Sequence, residues 1–447
     1  MTSEAPKGQL DSLLAEAINF HREGQLTKAE WKYEEILELK SEHPEALHLL
    51  GVLANQLGNP KLAIERIEQS LALFPTQSRA LNNLGNIHAE IAQHEKAIES
   101  YQQALALTPD YAQAHHNLGN VYGECKRIAE AIASYNRAIE LAPEDNESRL
   151  ALGATLEAMG EFHEAITQYS TVSTTDLEST IARHRLGSVF RKQHKLKEAI
   201  EVYRELLLLC PDDPVVIHLL ASCGGSPAPT RASNGYVKST FDGFAADFDT
   251  CLGKLEYRVP ELLHDLLKEN PDYRQQEVGT PNVTDKNIVD LGCGTGLCGP
   301  FLKDYAEQLV GVDLSPEMLR QAGEKNVYDE LLEIELTDYL QQSTGGHDLL
   351  IAADTLIYIG DLRPVFAAAH EKLTTGGILL FSVEQLAAST TDAHYALGCS
   401  GRFAHTESVV RAWLLEAGFE RQQIVETHLR QEGNESVPGY LVMALKP

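Results

Sequence analysis

The stretch IVDLGCGTGLCGPF, residues 288–301, places an aspartate just ahead of glycines at alternate positions. The aspartate is Asp290, and the glycines are Gly292, Gly294 and Gly296. Because glycine has no Cβ and tolerates positive φ, three glycines in alternation let a ligand or another backbone lie close against the loop. The pattern therefore predicts a loop that packs against a large ligand, with a carboxylate beside it.

A second acid, Asp313, ends the next apolar run, QLVGVD. From about residue 284 short apolar runs alternate with helical stretches, an order that predicts a parallel sheet with helices on both faces. In such a sheet ligands bind at the carboxyl ends of the strands, over the glycine loop and a helix N-terminus. An acid at the end of the second strand is placed to accept both hydroxyls of a ribose, so the expected ligand has an adenosine-like part.

Seven apolar runs are the candidate strands of this sheet. They are residues 287–291, 308–313, 331–336, 347–354, 376–384, 423–430 and 439–445. Helices are expected between most of them, including one that begins in the glycine loop with GLCGPFLKDYAEQ. The last two runs follow one another without a helix, so we expect an antiparallel hairpin at the edge of the sheet.

The register of the glycines distinguishes two kinds of adenosine ligand. A literal G-x-G-x-x-G is present at Gly294, Gly296 and Gly299, as in dinucleotide-binding oxidoreductases. The glycine that follows the strand directly is Gly292, however, so the register is wrong for a dinucleotide. The arrangement D-x-G-x-G-x-G from Asp290 onward resembles motif I of the class I S-adenosylmethionine-dependent methyltransferases. The resemblance covers residues 236–447 and implies S-adenosyl-L-methionine as cofactor and S-adenosyl-L-homocysteine as product.

The resemblance also implies roles for individual residues. The cofactor-binding positions that it implies are Asp290, Gly292, Cys293, Gly294, Gly296, Asp313, Leu314, Met318, Glu335, Leu336 and Asp354. Asp290 is expected to orient the methionine end of the cofactor, and Asp313 to hold the ribose. Glu335 aligns best with the acid that such proteins offer to the adenine amino group, and Asp338 is the alternative.

Methyl transfer from a sulfonium is an in-line displacement, in which the protein orients the acceptor and removes a proton where the acceptor carries one. The candidate bases are Asp354, Tyr358 and His405. His405 lies in the stretch 401–419, which also resembles the family. Residues 236–270 are expected to form a helical lid over the cofactor.

The first half of the chain repeats every 34 residues. Alanine recurs at positions 29, 63, 97, 131, 165 and 199, glycine at 51, 85, 119, 153 and 187, and tyrosine at 33, 101, 135, 169 and 203, with isoleucine at 67. Small residues are expected where two helices cross closely, and tyrosine where the gap beside them is wider. The pattern resembles the tetratricopeptide repeat (TPR), with about six units and a capping helix at 214–223.

By this resemblance the array binds a protein or peptide on its concave face. The residues expected there are Asn82, Asn86, His116 and Asn120. Residues 224–235, GGSPAPTRASNG, have the composition of a linker. The chain is therefore predicted to consist of a repeat array (10–223), this linker, and a methyltransferase domain (236–447).

The composition narrows the remaining choices. The chain has 447 residues, of which 43% are hydrophobic and 23% charged, as expected for a multidomain globular protein. Its formal net charge of −28 argues against a nucleic-acid partner. No apolar stretch has the length of a membrane span, and MTSEAPKGQLDSLL does not resemble a secretory signal. Seven scattered cysteines indicate reduced thiols in the cytoplasm and no metal site.

The sequence thus predicts an all-α TPR superhelix followed by an α/β Rossmann-like domain with a seven-stranded, mostly parallel sheet. The leading hypothesis is a methyltransferase that acts on an unidentified acceptor and recruits a protein or peptide through its repeats. The alternative is a TPR adaptor or scaffold whose methyltransferase-like domain binds S-adenosylmethionine or S-adenosylhomocysteine without turnover.

Overall fold

A computed structural model describes residues 7–172, 177–270, 285–386, 394–433 and 435–447. Residues 173–176 of the predicted repeat array, and 271–284, 387–393 and 434 of the predicted second domain, lie outside the described residues. The chain divides into two compact units, Met1–Val189 and Phe190–Pro447. No helix in the described ranges is both long enough and apolar enough to span a membrane.

The helices of the repeats follow the predicted 34-residue period. They are α1 (Lys7–Arg22), α2 (Leu26–Leu39), α3 (Pro44–Gln56), α4 (Pro60–Leu73), α5 (Ser78–Glu90), α6 (His94–Leu107), α7 (Ala112–Glu124), α8 (Ile128–Leu141), α9 (Asn146–Met159), α10 (Phe162–Ser170), α11 (Leu177–Lys192) and α12 (Leu196–Leu209). Helix α13 (Pro214–Ser222) follows them. The prediction of repeated helix pairs is confirmed, and the described residues contain six such pairs.

The repeated glycines and tyrosines pack against each other in the pairs α5–α6, α7–α8 and α9–α10, and Gly51 packs against Ile67 in the pair α3–α4. A Cβ on Gly85 would lie 2.5 Å from the Tyr101 ring, and one on Gly119 would lie 2.7 Å from the Tyr135 ring. Such distances leave no room for a larger residue, so glycine is required where the ring lies against the first helix. The Tyr101 hydroxyl donates to Oδ1 of Asn86 at 2.7 Å, which satisfies the polar end of a side chain that is otherwise buried.

The second unit begins inside the last helix pair. Helices α12 and α13 fall in this unit, although the sequence assigns them to the repeat array. The segment expected to be a linker is hydrogen-bonded to the α/β part. The amide of Ala232 donates to the carbonyl oxygen of Tyr358 at 2.8 Å, and the amide of Gly360 donates to the carbonyl oxygen of Thr230. The domain limits 10–223 and 236–447 were inferred from the sequence, whereas the compact units are defined by contacts between residues. These limits therefore stay predictions.

Helices precede the sheet and alternate with its strands. Those before it are α14 (Asn234–Asp242), a 3-10 turn (Ala245–Asp247), α15 (Phe248–Lys254) and α16 (Val259–Lys268). The strands are β1 (Lys286–Leu291), β2 (Ala306–Asp313), β3 (Glu330–Glu333), β4 (His347–Ala352), β5 (Leu373–Gln385), β6 (Tyr395–Leu397), β7 (Phe403–His405), β8 (Arg421–Glu432) and β9 (Glu435–Leu445). The helices between them are α17 (Gly299–Leu302), α18 (Pro316–Glu324), α19 (Leu336–Gln342), a 3-10 turn (Leu356–Tyr358), α20 (Arg363–Lys372) and α21 (Glu407–Glu416).

Strands β3, β2, β1, β4 and β5 are neighbours in that order and run parallel. Strand β9 pairs antiparallel with β5, and β8 pairs antiparallel with β9, so the predicted edge hairpin is confirmed. Strands β6 and β7 were not predicted, because three residues are too few to show an alternating pattern. The helix expected after the glycine loop is a single turn, since β2 already begins at Ala306.

Alternate residues of the strands point into two separate cores. Val289 and Phe381 belong to the core on one face, with Trp413 of α21. Ile288 and Leu380 belong to the core on the other face, with the apolar side of α16. Burial on both faces explains why β1 and β4 read as continuous apolar runs. It also fixes the carboxyl ends of these strands at one edge of the sheet.

Candidate functional site

The carboxyl ends of β1, β2 and β4 open into a cavity of about 330 Å³. Most of the residues predicted from the sequence line it: Asp290, Gly292, Cys293, Gly294, Asp313, Leu314, Met318, Glu335, Leu336, Asp354 and Tyr358. Three others are not among the lining residues, namely Gly296, Asp338 and His405. The structure thus gathers residues from four strand ends around one space.

The three glycines of the loop all have positive φ, but for different reasons. A Cβ on Gly292 would collide with the side chain of Thr355, and one on Gly296 would lie 2.8 Å from the Tyr328 ring. At Gly294 the nearest atom, in the Phe248 ring, is 3.9 Å from such a Cβ. Gly292 and Gly296 are therefore required by packing, whereas the space over Gly294 is open toward the cavity.

Asp290 is almost fully buried at the end of β1 and has one unsatisfied oxygen. Its Oδ2 accepts a hydrogen bond from the Tyr328 hydroxyl at 2.7 Å, while Oδ1 has no partner among the described residues. Burial raises the pKa of this carboxyl group to about 7. A buried acceptor without a donor is costly, so Oδ1 fits a ligand that brings an N–H group into the cavity.

Asp313 at the end of β2 is oriented by two backbone amides. The amide of Gly294 donates to Oδ2 at 2.9 Å, and the amide of Ser315 donates to Oδ1 at 2.8 Å. Burial raises the pKa of Asp313, and these hydrogen bonds oppose that rise. Each carboxylate oxygen can accept more than one hydrogen bond, so both remain available to the two hydroxyls of a ribose.

Glu335 lies at the cavity as the N-cap of α19. Its Oε2 accepts from the amides of Thr337 and Asp338 at 2.8 and 3.0 Å, and its Oε1 accepts from Arg231 at 2.8 Å. This capping role ends the strand predicted at 331–336 early, because the chain turns into a helix at Leu336. Of the two acids considered for the adenine amino group, Glu335 lines the cavity and Asp338 does not.

Aromatic residues of α14 and α15 cover the cavity. Phe248 makes edge-to-face contacts with Phe241 and Phe244, at ring-centroid distances of 6.0 and 5.7 Å. Polar contacts hold these helices to the glycine loop and to α18: Asp249 accepts from the Thr295 hydroxyl at 2.5 Å and pairs with Lys325 at 2.9 Å. Helix α16, the last part of the predicted lid, instead packs in the core beneath the sheet.

The end of the cavity nearest β4 carries a network of charged side chains. Asp354 has a φ of 51°, unusual for a residue other than glycine. Its Oδ1 accepts from the Ser382 hydroxyl at 2.7 Å, and its Oδ2 accepts from Nη1 of Arg430 at 2.7 Å. Burial raises the pKa of Asp354, and the Arg430 charge opposes the rise. We call this region, which contains Asp354 and Arg430, the acceptor end, after the methyl acceptor expected from the sequence. It lies two strands away from Asp313, in the order β2, β1, β4.

Two arginines of the acceptor end were missed in the sequence. Arg430 of β8 also donates to Glu384 and, through Nε at 2.8 Å, to Glu432. Arg402 donates through Nε to Glu384 at 2.6 Å and through Nη2 to Glu432. Arg402, Arg430 and Glu432 all line the cavity. The stretch LRQE, which places a basic and an acidic residue at the end of an apolar run, was the signal that could have indicated Arg430. The partners of this arginine, however, include residues far away in the sequence.

The structure does not support His405 as a base. Its side chain is fully buried in β7, with Nε2 2.9 Å from the carbonyl oxygen of Gly360. Its ring packs beside Tyr395 and Trp413, and burial lowers its pKa to about 4. β7 pairs with β5 through Ala404 and His405, and His405 is not among the residues that line the cavity. Its catalytic role therefore stays a prediction that this position does not favour.

Tyr358 remains at the cavity. Burial raises the pKa of its hydroxyl group well above the ordinary value of 10, so the group is protonated at neutral pH. It is therefore a hydrogen-bond donor at the acceptor end, rather than a base.

The residues predicted for the concave face form a hydrogen-bonded ladder across α5, α7 and α9. The Asn117 amide donates to Asn82 at 3.1 Å and to Asn86 at 2.9 Å. His116 lies 3.0 Å from the Asn120 amide through Nε2 and 2.8 Å from the Ser148 hydroxyl through Nδ1. Asn82 and His116 are buried in this ladder, and Asn120 is exposed.

Family models match both parts of the chain. Residues 289–381, which include the glycine loop, match a methyltransferase domain. Residues 93–125, 112–145 and 150–214 match tetratricopeptide repeats. The fold is thus an α/β domain that follows helical repeats, and residues 289–381 of the α/β domain match a methyltransferase model. The chain combines segments that match tetratricopeptide repeats with a segment that matches a methyltransferase domain.

Three curated relatives illustrate the similarity, and all three are named methyltransferases. A malonyl-[acyl-carrier protein] O-methyltransferase of Hamiltonella defensa is 32% identical over 116 residues, 24% of this chain and 44% of the relative. A ubiquinone biosynthesis O-methyltransferase of Xanthomonas campestris is 25% identical over 39% of this chain and 72% of the relative. An 18S rRNA (guanine-N(7))-methyltransferase of Bos taurus is 26% identical over 24% of this chain and 43% of the relative. The chain thus spans less than half the length of the first and third of these proteins.

Solved structures match part of the chain with TM-scores below 0.5. The pilF protein of Pseudomonas aeruginosa has a TM-score of 0.41 at 21% identity, over 45% of this chain and 92% of that one. A TPR protein of Thermus thermophilus has a TM-score of 0.35 at 24% identity, over 40% of this chain and 98% of that one.

Proposed function

We propose that the α/β part binds S-adenosylmethionine and transfers its methyl group to an acceptor, and that the repeats recruit a protein or peptide partner. The observation that carries the proposal is the pair of acids at the ends of β1 and β2. Asp290 offers an oxygen without a partner, and Asp313 is held by backbone amides with spare acceptor capacity. These two hydrogen-bond acceptors match the ammonium group of an amino acid at one end of the ligand and the ribose hydroxyls at the other.

The bound cofactor would supply an electrophilic methyl group on a positively charged sulfur. The chain's own contribution is positioning: Gly294 lets the ligand pass close over the loop, and Leu314 and Met318 give apolar contacts for the adenine. The aromatic rings of α14 and α15 exclude water from the cavity. In-line transfer requires only that the acceptor atom be held on the axis of the breaking bond.

The acceptor itself is not carried over from the relatives. Their names indicate that two of them methylate an oxygen atom and that one methylates a guanine nitrogen. The residues that would bind an acceptor here are Asp354 and Tyr358, with the two arginines beside them.

Calorimetric titration of the full chain with S-adenosylhomocysteine tests the proposal. We expect binding to the wild type and at least tenfold weaker binding to Asp313→Asn, because hydrogen bonds from the ribose to a charged carboxylate are lost. Asp329→Asn is the matched control, since Asp329 also accepts from a backbone amide of β2, that of Leu309, but outside the cavity. Absence of binding to the wild type would contradict the proposal.

Turnover is a separate question from binding. A chain that binds S-adenosylhomocysteine but never transfers a labelled methyl group from S-adenosylmethionine would be the adaptor described above as the alternative.

Peptide recruitment by the repeats has its own test. Asn120 is exposed on α7, beside the ladder formed with Asn82, Asn86 and His116. Peptides selected by phage display against the full chain should lose affinity for Asn120→Ala. They should keep it for Gln103→Ala, which removes an exposed amide from α6 in the second helix of a pair. If the peptides bound both variants equally, the ladder would not form part of the proposed peptide-binding site.

A further inference from the structure

Arg402 and Tyr358 each bring to the acceptor end a hydrogen-bond donor that has no partner among the described residues. Arg402 uses Nε and Nη2 to contact Glu384 and Glu432, which leaves Nη1. The hydroxyl group is the donor of Tyr358, and both side chains line the cavity. The charge of Arg402 opposes the rise in the Tyr358 pKa caused by burial, which agrees with their common place in this cavity.

The carboxylates of the same region are held by hydrogen bonds and ion pairs. Each oxygen of Asp354 accepts one hydrogen bond, from Ser382 and from Arg430. Against the opposing effect of burial, the two arginines lower the pKa of Glu432 and make it a weaker base. The unpaired oxygen of Asp290 is assigned above to the ammonium group of the cofactor. An acceptor that arrives already ionised, with no proton to lose, therefore suits this region better than an alkylammonium or an alcohol.

We propose that the methyl acceptor is a carboxylate, with one oxygen held by Nη1 of Arg402 and the Tyr358 hydroxyl. This inference rests on the proposed methyl transfer. The other carboxylate oxygen forms a bond to the methyl carbon while the bond from sulfur to that carbon breaks and its electron pair stays on sulfur. The products are a methyl ester and S-adenosylhomocysteine. No proton moves, so the reaction requires no base.

The charges of the acceptor end agree with this assignment. Asp354, Glu384 and Glu432 bring three negative charges, and Arg402 and Arg430 bring two positive ones. The sulfonium balances the remaining negative charge, so an incoming carboxylate meets a site that is neutral as a whole and presents two donors. Transfer then converts the carboxylate and the sulfonium into neutral groups, which a cavity with few water molecules favours.

The walls beside these donors are apolar. Phe248, Leu252 and Leu255 line the cavity from α15 and the turn after it. A carboxylate on an apolar chain therefore fits both the donors and the walls, and octanoate is a suitable probe of this chemistry.

The test is titration of the full chain with octanoate, octylamine and 1-octanol, after saturation with sinefungin, an analogue of S-adenosylmethionine that carries an ammonium group in place of the methyl sulfonium. We expect octanoate to bind at least tenfold more tightly than the other two. Tyr358→Phe, which keeps the ring, and Arg402→Gln should each weaken octanoate about tenfold, and Arg402→Lys should retain part of the affinity. Arg363→Gln is the control, because Arg363 is an exposed arginine that pairs with Asp361 outside the cavity.

Each outcome separates this inference from the proposed function. If S-adenosylhomocysteine does not bind, the proposed function fails. If it binds but octanoate binds no better than octylamine or 1-octanol, or is unaffected by both Tyr358→Phe and Arg402→Lys, the carboxylate acceptor is wrong while the methyltransferase proposal stands.

Discussion

Nε2 of His218 lies 2.8 Å from the carbonyl oxygen of Gly401, and both residues belong to the second compact unit. The His218 ring, on α13, also stacks on Tyr236 of α14 with 3.9 Å between ring centroids. Arg191 at the end of α11 donates to the carbonyl oxygen of Cys399 at 2.6 Å. The last repeat helices thus hold the loop that presents Arg402 to the cavity.

Loss of the His218 contact should loosen this loop. In His218→Leu we expect faster amide hydrogen exchange over residues 398–402 and in α14, because one buried hydrogen bond and one ring contact disappear. His218→Gln should restore protection of the loop, since its amide nitrogen can donate to Gly401. Hydrogen-exchange mass spectrometry on the full chain measures both, with β1 as an internal reference. Unchanged exchange in the loop of His218→Leu would contradict this role.

Asp290 should make the stability of the protein depend on pH. Its pKa is about 7 in the folded state and 3.8 ordinarily, so between these values the unfolded chain is ionised while the folded one is protonated. The contribution of Asp290 to the free energy of unfolding therefore falls by a few kcal/mol as pH rises from about 4 to 7. Above pH 7 this contribution levels off. Urea unfolding of wild type and Asp290→Asn across this range measures the difference, which should be smallest at low pH. A constant difference would contradict the raised pKa.

Cofactor binding should show the opposite dependence on pH. The α-ammonium group of S-adenosylhomocysteine favours ionised Asp290, so its affinity should rise by up to about tenfold from pH 6 to pH 8, with proton release below pH 7. Calorimetry in buffers of different ionisation enthalpy measures the released protons. Asp290→Asn should bind more weakly and without this dependence. If wild type binds without proton release at pH 6, Asp290 is not the residue that meets the ammonium group.

Two glycines on α7 allow the effect of side-chain packing on stability to be distinguished from the effect of helix propensity. A Cβ on Gly119 would lie 2.7 Å from the Tyr135 ring, whereas one on Gly123 would lie 3.9 Å from its hydroxyl group. We expect Gly119→Ala to destabilise the repeats by about 1–3 kcal/mol through overpacking, and Gly123→Ala to stabilise them by up to about 1 kcal/mol. Urea unfolding followed by circular dichroism measures both. Equal effects of the two substitutions would show that the ring does not set the requirement for glycine.

The sequence by itself determined the features that depend on neighbouring residues. The 34-residue period identified the helix pairs because the glycines at 51, 85, 119 and 153 meet a large side chain, Ile67 or a tyrosine ring, in the next helix. The glycine loop and Asp313 were also predictable, since they lie at the ends of adjacent strands that follow each other in the chain.

Only the tertiary structure decided the acceptor end and the extent of the second unit. Arg430, Glu384 and Asp354 come together because β9 returns antiparallel beside β5 and carries β8 with it, a pairing that brings charges from distant segments into one buried network. The position of His405 depends on the same kind of contact, because a motif gives a residue's type but strand pairing decides whether it reaches the cavity. Local patterns are set by short-range sterics and burial, whereas contacts between distant residues depend on strand order and register, which no single segment encodes.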